Sequence, residues 1–183
     1  MNLSIGQKVC YPNQGVCVVE DLDNKKIGGS LKSFYLLRIL RDNSTIFVPT
    51  ENAESVGIRP IINSKEYKNL VSDLSEDFGM VSPDWKTRSR EYGDLLQTGD
   101  VFKAAEVLKK LTFLSREKKL SLREQTLLEK AKFLIVSEVA NAGLATENKI
   151  ETKINALVEN ACVKHHIVQP FVMMTNQETV KSE

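Results

Sequence analysis

Hydrophobic periodicity changes once along this chain, at Val56-Gly57-Ile58-Arg59-Pro60, and a chain that changes period once folds as two modules joined there. Upstream, KVCY, GVCVVED, KSFYLLRIL and STIFVP are short runs rich in β-branched and aromatic residues, broken by Pro12-Asn13-Gln14-Gly15, Gly28-Gly29 and Asp42-Asn43. This predicts four or five strands. In KSFYLLRIL, Phe34 and Leu36 face one way and Tyr35, Leu37 and Ile39 the other, so both faces need cover, as in a small bent sheet closing on itself. An SH3-like or Tudor-like barrel over residues 1–60 is expected.

Downstream the period is helical. Ser64 is placed to cap a helix carrying Tyr67, Leu70, Val71 and Leu74, and Ser82-Pro83 reads as a cap followed by proline at the first helical position. Thr98-Gly99-Asp100 ends that second helix and caps a third, whose apolar set is Val101, Ala104, Ala105, Leu108, Leu111 and Thr112, with Lys103, Lys109 and Lys110 off the stripe. Ser121-Leu122-Arg123-Glu124 is a capping box opening a fourth helix with Leu127, Leu128, Ala131, Leu134, Ile135, Val139 and Ala142, closed by Gly143. A fifth starts near Thr146 and carries Ile150, Ile154, Leu157, Val158 and Ala161. The expected architecture is α+β: a β module, a bundle of about five helices over 64–163, and a poorly ordered tail over 164–183.

Composition excludes little. The chain has 183 residues, 42% hydrophobic and 27% charged, with net charge +1, so an anionic partner would have to be met by a local concentration of Lys and Arg. No signal-like segment and no apolar run long enough to cross a bilayer occurs, so a cytoplasmic protein without membrane contact is expected. Cys10, Cys17 and Cys162 are expected to be buried small hydrophobes and not disulfide partners.

Catalytic patterns are missing. Cys162-x-x-His165 offers two metal ligands where a structural zinc site needs four, Gly28-Gly29 lacks the ending of a phosphate loop, and no nucleophile elbow or H-E-x-x-H helix occurs. Carboxylates mostly lie four residues from a Lys or Arg, as Glu106 does from Lys110, which is the pattern of a solvated helix face. No catalytic residue, metal, cofactor or small-molecule substrate is expected.

The unusual stretch is PDWKTRSREYG, Pro83 to Gly93, where the only tryptophan stands among Lys86, Arg88 and Arg90. Its helix has the stripe Tyr92, Leu95 and Leu96, yet the positions in line with Trp85 are Arg88 and Ser89, both polar. Two readings follow. Either Trp85 folds onto the bundle with Arg88 covering it, or it protrudes beside free backbone N–H groups and basic side chains, an arrangement that suits nucleic acid. A protruding apolar wedge unstacks bases at about a few kcal/mol per step, so it acts most easily at a fork where strands have already separated. From Trp85 to Lys132 there are twelve Lys/Arg against seven Asp/Glu, a local excess that the whole-chain total hides, with Lys109, Lys110, Lys118, Lys119 and Arg123 in its middle.

At this point the chain resembles the CarD/CdnL family of bacterial transcription regulators, from about Ile5 to about Ala161. The resemblance is carried by GQKVCYPNQGVCVVE, IFVPTENAESVGIRP, the tryptophan stretch leading into LLQTGDVFKAAEVLKKL, and REKKLSLREQTLLEKAKFLIVSEVA. It implies a Tudor-like domain, similar to that of transcription-repair coupling factors, that binds the β subunit of RNA polymerase. It also implies a helical domain that contacts promoter DNA at the upstream edge of the melted bubble, where the tryptophan matching Trp85 wedges into the minor groove and slows bubble collapse. On this reading the DNA-binding residues are Trp85, Lys86, Arg88, Arg90, Lys109, Lys110, Lys118, Lys119 and Arg123. The polymerase-binding residues are Lys25, Ile46, Phe47, Val48 and Pro49.

Two departures stand out. Some members carry arginine where this chain has Phe47, so an apolar edge or strand-to-strand contact is the expected substitute. Many members read W-x-R-R-Y where this chain has Trp85-Lys86-Thr87-Arg88-Ser89, so weaker or shifted DNA contact is expected. A nucleoid-associated monomer follows from the family reading. The competing class is a protein-interaction adaptor with no direct DNA role, in which Trp85 is a core residue or an interface anchor.

Overall fold

In the computed structural model, which describes residues 2–168, strands β1 (Lys8–Tyr11), β2 (Gly15–Ile27), β3 (Ser30–Ile39), β4 (Thr45–Pro49) and β5 (Arg59–Pro60) form one antiparallel sheet in the order β4-β3-β2-β1-β5. The turns are where sequence chemistry allows them. Gly28 and Gly29 both have positive φ, 59° and 85°, as a two-residue hairpin turn requires, and they join Ile27 directly to its partner Ser30. A register shift between Val19 and Asp21 bulges β2 and bends the sheet.

The inner face gathers Val9, Cys17, Val19, Tyr35, Leu37, Ile39 and Val48 into one core. The bent five-stranded sheet is the small β module expected, and its core is covered partly by the strands and partly by the chain between β4 and β5. Strands β4 and β5 stand at opposite edges, and the segment between them, with a 3₁₀ turn over Thr50–Asn52, inserts Ala53 and Ile58 into the apolar cluster. Phe34 and Leu36 are left half-buried on the outer face, so only one face of β3 is fully covered.

The helical half contains α1 (Ser64–Asp73), α2 (Trp85–Gln97), α3 (Val101–Glu117), α4 (Leu122–Asn141) and α5 (Glu147–Val168). Asp100 caps α3, Ser121 and Glu124 form the expected capping box of α4, and Gly143, at φ 71°, follows its C-terminus. Three boundaries differ from expectation. Asn63, not Ser64, caps α1, because its carboxamide reaches two backbone N–H groups and Glu66 completes a capping box. Asp84 caps α2 through the Thr87 N–H and leaves Pro83 outside the helix. Helix α5 continues past residue 163 to Val168, because Ile154, Val158, Ala161 and His165 make one unbroken buried stripe; the expected tail beyond it lies outside the described residues.

Helix α3 is central: Val101, Ala104, Ala105, Val107, Leu108, Leu111, Phe113 and Leu114 are buried around much of its circumference. The sheet packs on α4 by its β1–β2 turn, where a Cβ on Gly15 would meet Leu134 at 3.5 Å and Phe133 at 3.7 Å. Gly99 is needed at φ +74°, and an added Cβ would lie 3.1 Å from the Pro12 backbone. One buried carboxylate ties the modules together: Glu138 accepts from Arg59 Nη1 at 2.6 Å, Arg59 Nη2 at 2.8 Å and the Ile62 N–H at 2.9 Å. Arg59 also donates to the Gly99 carbonyl, at 2.6 Å from Nη2.

Candidate nucleic-acid and protein-binding surfaces

Trp85 is the first residue of α2 and is 56% exposed, which removes the reading of it as a core residue. The helix starts there because the Asp84 carboxylate accepts from the Thr87 N–H at 2.8 Å and from its hydroxyl at 2.6 Å. These bonds, the hydroxyl's first, hold the Asp84 carboxyl below the usual carboxylate range. Lys86 follows, with Nζ 5.8 Å from the indole centroid. Arg90 is exposed on the same helix.

Arg88 does not belong to that surface. It is 1% exposed, donates to Glu124 Oε1 from Nη2 at 2.7 Å, and donates from Nη1 to the carbonyls of Ser82 at 2.6 Å and Pro83 at 2.8 Å. Glu124 Oε2 in turn accepts from the Ser121 N–H at 2.9 Å and hydroxyl at 2.8 Å. Burial alone would raise the Glu124 pKa, but the Arg88 and Ser121 hydrogen bonds outweigh it and hold the group ionised below its ordinary range. Ser89, buried beside Arg88, accepts from Arg123 Nε on α4. The first turns of α2 and α4 are therefore bonded side by side.

Lys109 is also withdrawn from solvent. It is 2% exposed, and its ammonium donates to the Asp73 carbonyl at 2.6 Å and lies 3.2 Å from the Asp73 carboxylate, capping the end of α1. Lys110 pairs with Glu106 at 2.6 Å, in a groove shared with Glu91 and Asp94 that is unsuited to a polyanion. Lys118 ends α3 and Lys119 is exposed in the short link to α4, next to the turn that carries Arg123. Of the nine expected DNA contacts, the fold thus leaves Trp85, Lys86, Lys118, Lys119 and Arg123 around the α2 and α4 N-termini, with Arg90 exposed elsewhere on α2. Leu122, 82% exposed at the first position of α4, joins this end of the bundle. Its signal in the sequence was an apolar residue between a capping serine and an arginine, off the Leu127-Ala131-Leu134 stripe.

The second surface is on the sheet. Register places Phe47 opposite Leu36, Pro49 opposite Phe34 and Lys25 opposite Lys32, all on the outer face, and Lys25 Nζ lies 3.8 Å from the Phe47 ring centroid. Lys25 belongs to β2 itself and not to a turn. Ile46 and Val48 alternate inward, Val48 into the core and Ile46 against it, so neither side chain lies on the outer face. Strand β4 is an edge strand.

His165, expected in a loose tail, is buried in α5 with Nδ1 2.5 Å from the Asp77 carboxylate and its ring stacked on Phe78 at 4.1 Å. Cys162 is buried and directs its thiol to the Lys109 carbonyl. All three cysteines are free and buried, as expected of small hydrophobes.

The structure thus presents a small antiparallel sheet with an apolar outer edge, joined to a helical bundle that exposes a tryptophan beside Lys86. Comparison with known proteins gives the family. Residues 3–62 match the family described as CarD-like/TRCF RID domain, and residues 69–155 match CarD, C-terminal domain. The chain belongs to the CarD/CdnL family of transcription regulators. It is 26% identical over 148 residues to YdeB of Bacillus subtilis (strain 168), covering 81% of this chain and 97% of that one. It also matches a solution structure of the N-terminal domain of Myxococcus xanthus CarD, at 36% identity, TM-score 0.28, over 32% of this chain and 79% of that one. Among the described residues no helix is long and apolar enough to cross a membrane.

Proposed function

We propose that this protein binds the β subunit of RNA polymerase through the outer face of its sheet, and holds promoter DNA open by lodging Trp85 at the upstream fork of the bubble. The observation that carries the reading is the exposed indole at the start of α2, beside Lys86, with the next two residues of its own stripe buried against α4. The ring has no place in the bundle core and stands beside cations. Such a wedge pays little at a fork, where the stack is already broken, whereas on closed duplex it faces about a few kcal/mol per unstacked step. Lys118, Lys119 and Arg123 supply phosphate contacts at the same end of the domain. Their small number makes free DNA a weak ligand, so the sheet's attachment to polymerase supplies the local concentration. No chemistry is required of the protein.

The test is the lifetime of a promoter open complex at saturating protein. Trp85→Ala is expected to shorten it while leaving binding to the polymerase β subunit intact. An unchanged lifetime overturns the wedge.

A further inference from the structure

We infer that Arg88 and Glu124 form a positioning pair that fixes the direction in which Trp85 projects. This rests on the proposed role of Trp85 at the fork.

Arg88 is the residue one turn along from the indole on the same helix, and its guanidinium divides its donors between two elements. Nη1 holds the carbonyls of Ser82 and Pro83, the last residues of the segment that delivers the chain to Asp84 and Trp85. Nη2 and Nε hold Glu124 Oε1, at 2.7 and 3.3 Å. The other oxygen of Glu124 closes the capping box of α4. One side chain thus clamps the entry to α2 and the first turn of α4 together. Both charges are buried, and among the described residues no buried side-chain nitrogen or oxygen lacks a partner.

Packing alone does not call for this arrangement. A buried ion pair is often replaceable by apolar residues of similar volume without loss of stability, so its presence beneath an exposed functional side chain points to orientation rather than to folding energy. Lysine would have to reach all of these acceptors from one nitrogen, whereas arginine divides them between Nη1 on the Ser82 and Pro83 carbonyls and Nη2 and Nε on Glu124. Without the clamp, the Ser82–Asp84 segment loses its two side-chain anchors and the indole samples more directions. Ordering it on DNA then has to be done at the moment of binding.

The chain has one tryptophan, so the inference can be read optically in the protein without DNA. The decisive variant is the double replacement Arg88→Met/Glu124→Leu, which removes the clamp but leaves no buried unpaired charge. Its denaturation midpoint is measured first, and if it fails to fold, Arg88→Lys and Glu124→Gln are used singly. Expected is a faster-decaying fluorescence anisotropy for Trp85, and an open-complex lifetime shortened by about two- to tenfold, the range for ordering one side chain on binding. Arg88→Lys should show the same optical change in smaller degree. Unchanged anisotropy decay in the folded variant overturns the positioning role, whatever the lifetime does. A loosened indole in the variant, with Trp85→Ala leaving the lifetime untouched, would instead keep the positioning and overturn the fork reading.

Discussion

The ammonium of Lys25 sits over the face of Phe47, with Nζ 3.8 Å from the ring centroid, and the two side chains reach each other across β3 on the outer face of the sheet. The contact joins the two polymerase-facing candidates that the sheet leaves exposed. Phe47 is 48% exposed and its strand is at an edge, so its ring is available as an anchor while its backbone stays in the sheet. Phe47→Ala should weaken binding to an isolated β-subunit fragment by about tenfold or more, the effect of losing a central aromatic anchor, with the unfolding midpoint nearly unchanged. Equal affinities of the two proteins would remove Phe47 from the interface.

The neighbouring residue should behave in the opposite way. Val48 points into the core, so Val48→Ala should lower stability by about 2 kcal/mol while binding per folded molecule stays constant. Chemical denaturation and the same binding titration give both quantities. A Val48 variant that binds weakly at full stability would mean that the strand register is wrong.

Glu138 is the buried carboxylate at the module junction, where the β1–β2 turn on α4 and the Arg59–Gly99 bonds also hold the two parts together. Replacing Glu138 by leucine leaves Arg59 without its chelating partner and the Ile62 N–H without its acceptor. Breaking this pair from the carboxylate side should cost less than the roughly 3–5 kcal/mol of a fully buried pair, because the Arg59 side chain left behind is 30% exposed. Burial, with Glu138 nearby, already pushes the Cys10 thiol far up, so Cys10 should stay unreactive in the native protein and become alkylated in Glu138→Leu. Rates of thiol labelling at fixed pH test this; an equally slow Cys10 in both proteins would show that the junction holds without the carboxylate.

Much of this architecture was legible in the amino-acid order. The change of period falls where β5 gives way to α1, and the capping box at Ser121 to Glu124 and the Thr98-Gly99-Asp100 break stand where expected. What was hidden concerns charges that face inward. Arg88 continues the stripe of Tyr92 and Leu95, at spacings of four and seven, and His165 continues that of Ile154, Val158 and Ala161. A polar residue on an apolar stripe is the available signal, but its meaning depends on partners far away in sequence: Glu124 for Arg88, Asp77 for His165. Lys109 gave no such signal, because α3 is buried around too much of its surface for an off-stripe position to mean exposure.

The lysines can be sorted by the salt dependence of binding. Removing a side chain that neutralises one phosphate should reduce the slope of log K against log salt by about 0.9. Lys119→Ala, on the exposed link to α4, should show this reduction for a forked DNA delivered with polymerase. Lys109→Met should leave the slope unchanged and instead lower thermal stability, since the Asp73 carbonyl at the end of α1 loses its cap. Identical slopes for Lys119→Ala and the unaltered protein would exclude that link from the DNA surface.

The Arg88–Glu124 pair also sets how the fold responds to acid. In the folded chain Glu124 titrates below its ordinary value of 4.5, so on acidification the unfolded chain takes up its proton first. The pair's stabilisation is fully present above about pH 4.5 and is lost as pH falls toward the lower folded value, a decline that the linkage relation requires whenever the unfolded state binds more protons. Asp77, held down by its hydrogen bond from His165 against the opposing effect of burial, acts with the same sign from its ordinary value of 3.8. Urea midpoints measured between neutral pH and about pH 3 should therefore fall steeply below about pH 4.5 in the unaltered protein. In Glu124→Gln the midpoint should start lower at neutral pH, because the charge-assisted bond to Arg88 is gone, and then decline less, with Asp77, Asp84 and Asp42 supplying the remainder. Parallel curves for the two proteins would show that Glu124 is not held ionised by Arg88 in the folded state.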